Sequence, residues 1–109
     1  MDNSNRYPTI AVQAITEVTG IAKEELQSTT RKFKCVIARQ IVFEYLFRKK
    51  LSTPKIGKVF NRDHATVLHG VKQIRGLLKH DKEVRFIKHR FDALVAQFES
   101  GEDIVIGTA

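Results

Sequence analysis

Apolar positions recur along most of the chain at intervals of three and four residues, which is the spacing of amphipathic helices. The first such set follows Pro8 and ends before Gly20, a residue suited to a left-handed C-terminal cap. Its apolar positions are Ile10, Ala14, Ile15 and Val18. A short second helix is predicted from Ala22 to Gln27, and the polar and basic stretch from Ser28 to Lys32 predicts an exposed loop.

A long helix is predicted from Phe33 to Lys50, because this stretch contains no Gly or Pro and carries a wide apolar stripe. The stripe consists of Val36, Ile37, Ile41, Val42, Tyr45 and Leu46. A stripe of this width favours a central position in the core.

Two closely spaced helices follow. The run Ser52-Thr53-Pro54 is a helix start signal, a hydroxyl N-cap followed by Pro at the first helical position, and a turn at Asn61 ends the short helix. The next helix is predicted from Arg62 to Lys79, with Asn61 or Asp63 as its N-cap. The residues expected to be buried are Ile56, Val59 and Phe60 in the first helix and Val67, Leu68, Val71, Ile74 and Leu78 in the second. Two helices joined this tightly predict a helix-turn-helix.

A last helix is predicted from Lys82 to Glu99, with apolar positions at alternating three- and four-residue steps. Those positions are Val84, Ile87, Phe91, Leu94 and Phe98. The seam is shorter than a coiled coil needs, so we expect it to cover the core of a monomer. The fold expected is an all-α domain of five to six helices over residues 9–99, between a flexible N-terminus (1–8) and a flexible tail (100–109).

Charge adds a partner class to this fold. The 109 residues include 19 Lys and Arg against 12 Asp and Glu, a formal net charge of +7, which attracts nucleic acid or an anionic membrane surface. A membrane role is not expected, because no run of 18 apolar residues occurs and so small a domain needs its apolar faces for the core. The single cysteine, Cys35, has no partner for a disulfide and suits the reducing cytoplasm.

Catalytic and cofactor chemistry finds little support in the sequence. His64 and His69 are five positions apart, which does not place them on one helical face as a zinc site requires, and Cys35 lies among core residues. The chain also lacks a Gly-x-x-x-x-Gly-Lys-[Ser/Thr] phosphate loop. We therefore expect no metal, no bound nucleotide, no other cofactor and no enzymatic activity.

The polar face of the Arg62 to Lys79 helix carries side chains suited to DNA. Opposite the apolar stripe lie Arg62, Thr66, His69, Lys72 and Gln73, and the exposed N-terminal end carries Asp63, His64 and Ala65. In a helix-turn-helix this end enters the major groove, where a carboxylate can accept from cytosine N4 and a methyl group can touch thymine. For Asp63 the alternative is a helix N-terminal charge that complements the macrodipole.

The string Asn61-Arg62-Asp63-His64-Ala65-Thr66-Val67-Leu68-His69-Gly70 closely resembles the signature of the C-terminal DNA-binding domain of the bacterial replication initiator DnaA. The resemblance extends upstream to Ser52-Thr53-Pro54-Lys55-Ile56-Gly57 and to Ile37-Ala38-Arg39-Gln40-Ile41, and it covers roughly residues 9 to 98. It implies a fold of the DnaA C-terminal, Trp-repressor-like type. Arg31 and Lys32 then fall in the basic loop of the family.

The resemblance implies a role for each matching position. Asp63, His64 and Thr66 would read bases or the adjacent backbone in the major groove, and Arg31 would reach into the neighbouring minor groove. The residues implied as phosphate ligands are Arg39, Lys55, His69 and Lys72. Lys32, Arg62 and Ala65 complete the expected DNA-binding set. The chain departs from the family at Ala65, commonly Thr, and at Asn61, where the family commonly has two Gly.

The function expected from the resemblance is sequence-specific binding of double-stranded DNA at DnaA-box-like sites, in replication initiation or its regulation. The alternative is a helical protein-interaction module that docks its basic face on an acidic partner. The chain is expected to be a stand-alone relative of the domain or a piece of a longer initiator. Its polar start and short tail favour the stand-alone form.

Overall fold

Six helices and no strands make up residues 6–101, the part of the chain that the computed structural model describes. They are α1 (Arg6–Thr19), α2 (Lys23–Gln27), α3 (Phe33–Arg48), α4 (Thr53–Lys58), α5 (His64–Leu77) and α6 (Lys82–Ser100). The predicted all-α fold with its helix-turn-helix, α4 and α5, is confirmed over this range.

Helix α3 forms the centre of the core. Every residue from Ile37 to Leu46 is buried, because α1 packs on one side of α3 and α5 packs on another. Helix α6 covers α1, and its Phe91 meets the Tyr45 ring edge to face, with 5.5 Å between centroids. Phe60, two residues beyond the end of the short helix α4, packs against Phe43 of α3. The helix-turn-helix is therefore attached to the core through α3.

Both ends of the domain differ from the prediction. Helix α1 begins at Arg6 rather than after Pro8, and α6 continues to Ser100, where Gly101 forms a left-handed cap with φ 83°. Pro8 is tolerated because the first turn of a helix needs no backbone donor there. Residues 6–8 and 100, predicted to be flexible, are thus helical. The remaining residues of the two predicted flexible segments, 1–5 and 102–109, apart from Gly101, lie outside the described residues.

A polar cluster joins the ends of three helices on the side of α1 and α6. The carboxylate of Glu99 accepts hydrogen bonds from Tyr45 Oη at 2.5 Å and from Lys49 Nζ at 2.9 Å, and the Arg6 guanidinium donates to the Glu99 carbonyl. Partial burial raises the pKa of Glu99, but the bonds from Tyr45 and Lys49 outweigh it and hold this pKa below its ordinary value. The charged form of Glu99 is the one that the fold stabilises.

We expect part of the acid sensitivity of the domain to come from Glu99. Since its pKa is lower in the folded state, its contribution to stability is present above the unfolded pKa and is lost as pH falls through the folded pKa. Denaturant unfolding from pH 6 down to about pH 3 should therefore show a shallower loss of stability for Glu99→Gln than for the wild type. Equal slopes for the two proteins would contradict this assignment.

Candidate nucleic-acid interface

The turn between α4 and α5 is compressed to a few residues. The backbone N–H of Arg62 donates to the Gly57 carbonyl at 2.8 Å, and Asn61 adopts a left-handed conformation with φ 59°. A Cβ atom on Gly57 would lie 2.1 Å from the Arg62 carbonyl oxygen. Asn61 is therefore the residue that gives this turn its left-handed conformation, and the close approach requires Gly at position 57.

The N-terminus of α5 is capped by Asp63. Its Oδ1 accepts from the backbone N–H of Thr66 at 2.8 Å, and this backbone hydrogen bond holds the pKa of the exposed carboxyl below its ordinary value. The two candidates for the cap, Asn61 and Asp63, are thereby resolved in favour of Asp63. A hydrogen bond with the Thr66 side chain lowers the pKa of Asp63 as well. Because the carboxyl group remains exposed, a second role in base reading is compatible with the geometry.

The outer face of α5 presents five of the predicted DNA-binding residues together. His64, Ala65, Thr66, His69 and Lys72 are all exposed on this helix. Leu68 was predicted to be buried, and this prediction is wrong, because its exposed fraction is 45%. Consecutive helical residues are about 100° apart around the axis, so next to the buried Val67 this side chain falls at the edge of the core.

A groove separates this face from the basic loop, residues 28–32. Its volume is about 910 Å³, and it is lined on the loop side by Thr30 and Arg31 and on the α5 side by Thr66, His69 and Gln73. Arg31 is exposed, and so is Lys32, whose Nζ lies 3.7 Å from Glu25 Oε2. Arg31 thus lies across one groove from α5, although more than 30 residues separate them in sequence.

The floor of the groove positions α5 on α3. Gln40 Nε2 donates to Gln73 Oε1 at 2.6 Å, and a Cβ on Gly70 would lie 3.2 Å from Gln40 Cγ, so the two helices approach closely at this point. Further along, the buried carboxylate of Glu44 accepts from Arg75 of α5 at 3.2 Å. Neither of these two polar contacts was anticipated from the sequence.

Two predicted DNA ligands are engaged within the protein. Arg39 is only 5% exposed, and its guanidinium donates to the carbonyls of Leu26 at 2.7 Å and Ser28 at 3.2 Å. Arg62 donates to the carbonyls of Phe60 at 2.6 Å and Ser28 at 2.7 Å. Two donor atoms of Arg39 and two of Arg62 therefore bind backbone oxygens. The phosphate contact expected of Arg39 stays a prediction, and its burial leaves little of the side chain exposed for it.

The remaining predicted ligand, Lys55, lies on α4 with its side chain partly exposed. Its backbone N–H bonds to the N-cap hydroxyl of Ser52 at 3.4 Å, as the start signal predicted. Lys55 belongs to the first helix of the helix-turn-helix, which in proteins of this architecture crosses the DNA backbone.

The other reactive groups form no site within residues 6–101. Burial, followed by the 3.5 Å hydrogen bond to Glu25, raises the pKa of the Cys35 thiol, which favours its unreactive protonated form. Over the same residues no three His, Cys, Asp or Glu side chains cluster as metal ligands. None of the described helices is long and apolar enough to cross a membrane.

The capped helix α5, the short turn of residues 59–63 in front of it and the basic loop across a groove define a helix-turn-helix domain of the DNA-binding class. Among known families, the bacterial DnaA protein helix-turn-helix matches residues 9–74, well over half of the chain. The chain belongs to this family.

Three relatives illustrate the match, all of them chromosomal replication initiator proteins. DnaA 2 of Protochlamydia amoebophila is 36% identical over 75% of this chain and 19% of its own length. DnaA of Thermus thermophilus is 35% identical over 72% of the chain and 18% of its length, and DnaA of Streptococcus pyogenes 39% identical over 61% and 15%. The chain thus spans less than a fifth of the length of these relatives.

Proposed function

We propose that this domain binds double-stranded DNA sequence-specifically at DnaA-box-like sites, as a monomer in the cytoplasm, and acts in replication initiation or its regulation. The observation that carries the proposal is the placement of Arg31 across a groove from the exposed face of α5. In this arrangement α5 can enter the major groove of a duplex while the basic loop on the other side of the protein groove reaches the adjacent minor groove. The relatives are chromosomal replication initiator proteins, which supports the step to replication initiation.

In this arrangement the N-terminal end of α5 enters the major groove. Asp63 Oδ2 accepts from cytosine N4, the exposed methyl of Ala65 contacts a thymine methyl, and His64 and Thr66 reach base edges or the adjacent backbone. Leu68 lies one turn behind His64 on this helix with half of its side chain exposed, so it adds an apolar surface for a second thymine methyl.

Exposed cations on both sides of the groove provide the sequence-independent attraction. Lys55 and Lys72 contact phosphates on the α4 and α5 side, together with His69, and Lys32 does so beside the loop. Arg31 inserts into the minor groove, where a narrow, strongly negative groove favours an arginine. The domain works by binding alone, with no catalytic step, cofactor or nucleotide in the proposal.

A binding titration with a box-containing duplex and a scrambled duplex of equal length tests the proposal. We expect tighter binding to the box, and a log K that falls with log salt at a slope of roughly −4 to −5, because about five phosphates are neutralised. Equal affinity for both duplexes would contradict sequence-specific reading. No measurable binding to either, combined with binding to an acidic protein partner, would instead favour a protein-interaction module.

A further inference from the structure

The carbonyl oxygen of Ser28 accepts hydrogen bonds from two guanidinium groups. Arg39 Nη2 reaches it from α3 at 3.2 Å, and Arg62 Nη2 reaches it from the turn before α5 at 2.7 Å. Ser28 begins the basic loop, three residues before Arg31. The loop is therefore bound both to the core helix and to the start of the recognition helix.

Further bonds join the same two segments. Arg62 Nη1 donates to the Phe60 carbonyl at 2.6 Å, so one planar guanidinium spans a carbonyl of the turn and a carbonyl of the loop. Asn61 Nδ2 donates to the Gln27 carbonyl at 3.4 Å, and Gln27 Nε2 donates back to the Val59 carbonyl at 3.3 Å. We call this set of contacts between residues 27–28 and 59–62 the clamp.

The clamp explains why arginine is suited to position 62. A guanidinium presents its donors in a rigid fork and stays charged, so it can hold two carbonyl oxygens at a fixed separation, whereas the single ammonium of Lys cannot reproduce that fork. Arg39, buried beneath it, binds the Leu26 carbonyl at 2.7 Å and supports the loop from the core side. The separation between Arg31 and α5 is thus set by side chains that do not themselves need to contact DNA.

We infer that Arg62 is a positioning residue, which fixes the basic loop relative to α5 so that the minor-groove and major-groove contacts form as one unit. The inference rests on the proposed function. Without the clamp, the loop would have to be ordered when DNA binds, and that entropy cost would offset much of the affinity that Arg31 supplies. The alternative role for Arg62, a direct phosphate contact, leaves the contribution of Arg31 unchanged.

The test measures how much Arg31→Ala weakens binding to the box duplex in three backgrounds: wild type, Arg62→Gln and Arg62→Lys. We expect a loss of about tenfold or more in the wild type and of about threefold or less in both Arg62 backgrounds. Arg62→Lys is the matched control, because it keeps the charge but loses the fork. A phosphate contact predicts near-wild-type behaviour for Arg62→Lys, and an equal Arg31→Ala loss in all three backgrounds.

A second readout uses duplexes with one base pair inserted between the minor-groove and major-groove contacts. In the wild type, the insertion should abolish most of the preference for the box over the scrambled duplex. In the Arg62 variants, the insertion should reduce that preference by a smaller factor. Thermal unfolding establishes that the variants are folded. If an Arg62 variant is unfolded at the assay temperature, Gln27→Ala takes its place in the test, because it removes only the bond to Val59. In the Gln27→Ala background, Arg31→Ala should also weaken binding less than it does in the wild type.

The outcomes separate the two claims. A wild-type domain that does not prefer the box overturns the proposed function, and the role of Arg62 with it. A wild-type domain that prefers the box, with an Arg31→Ala loss that is the same in every background, overturns the clamp alone.

Discussion

Asp63→Asn is expected to weaken binding to the preferred duplex by roughly ten- to a hundredfold while leaving the fold intact. Asn is as good an N-cap as Asp, so Oδ1 can keep its 2.8 Å bond from the Thr66 N–H. The outward atom then becomes the amide Nδ2, a donor, in place of the acceptor Oδ2. A donor facing cytosine N4, itself a donor, leaves that base unrecognised, so discrimination at this base pair should also relax.

Electrostatics alone predicts the opposite result, because Asp63→Asn removes a negative charge from a protein that meets a polyanion. Titrations at one salt concentration against box and scrambled duplexes separate the two. Lys72→Ala is the control, since loss of a phosphate contact should weaken both duplexes by similar factors. If Asp63→Asn binds the box as tightly as the wild type, then Asp63 acts only as a cap and α5 is not oriented as we propose.

Gly57→Ala is expected to be the most destabilising single methyl addition in the helix-turn-helix. The added Cβ would lie 2.1 Å from the carbonyl oxygen of Arg62, and both partners are backbone, so neither can move without opening the turn. We expect a loss of about 3 kcal/mol or more in the free energy of unfolding, and a fall of more than about 10 °C in Tm.

Gly76→Ala provides a matched control in the same helix-turn-helix. Gly76 lies inside α5, and a Cβ there would meet nothing within 4 Å. This variant should therefore gain about 0.5–1 kcal/mol from the better helix propensity of Ala. Thermal unfolding followed by circular dichroism measures both. A Gly57→Ala protein as stable as the wild type would show that the turn has another low-energy conformation.

The helices and the order of the motifs could be predicted from the sequence because apolar spacing reports directly which face of a helix is buried. Start and stop signals also operate over a few residues, as at Ser52 and Gly20, whose predicted cap roles agree with the structure. The start of α1 could not be placed, because Pro8 reads as a boundary in sequence but is allowed within a first helical turn.

The roles of individual charged residues were less predictable. Arg62 and Ser28 are 34 positions apart, so no local pattern shows that a carbonyl of one segment will meet the guanidinium of the other. Arg39 did carry a signal, because it lies in the middle of a helix with apolar residues on nearly every side, and such a helix is buried all round. The exposure of Leu68 could also have been predicted, because Leu68 falls beside the apolar stripe defined by Val67, Val71 and Ile74 and not within it.

The contact between Arg6 and Glu99 has a topological consequence. The first residue of α1 touches the last turn of α6, so a linker of a few residues joining these helices would turn the backbone of the domain into a ring without stretching any element. Circular rearrangements are tolerated where chain ends lie close together. If that ring were then opened at another exposed loop, the order of helices along the polypeptide would change, while the groove between the basic loop and α5 would keep its shape.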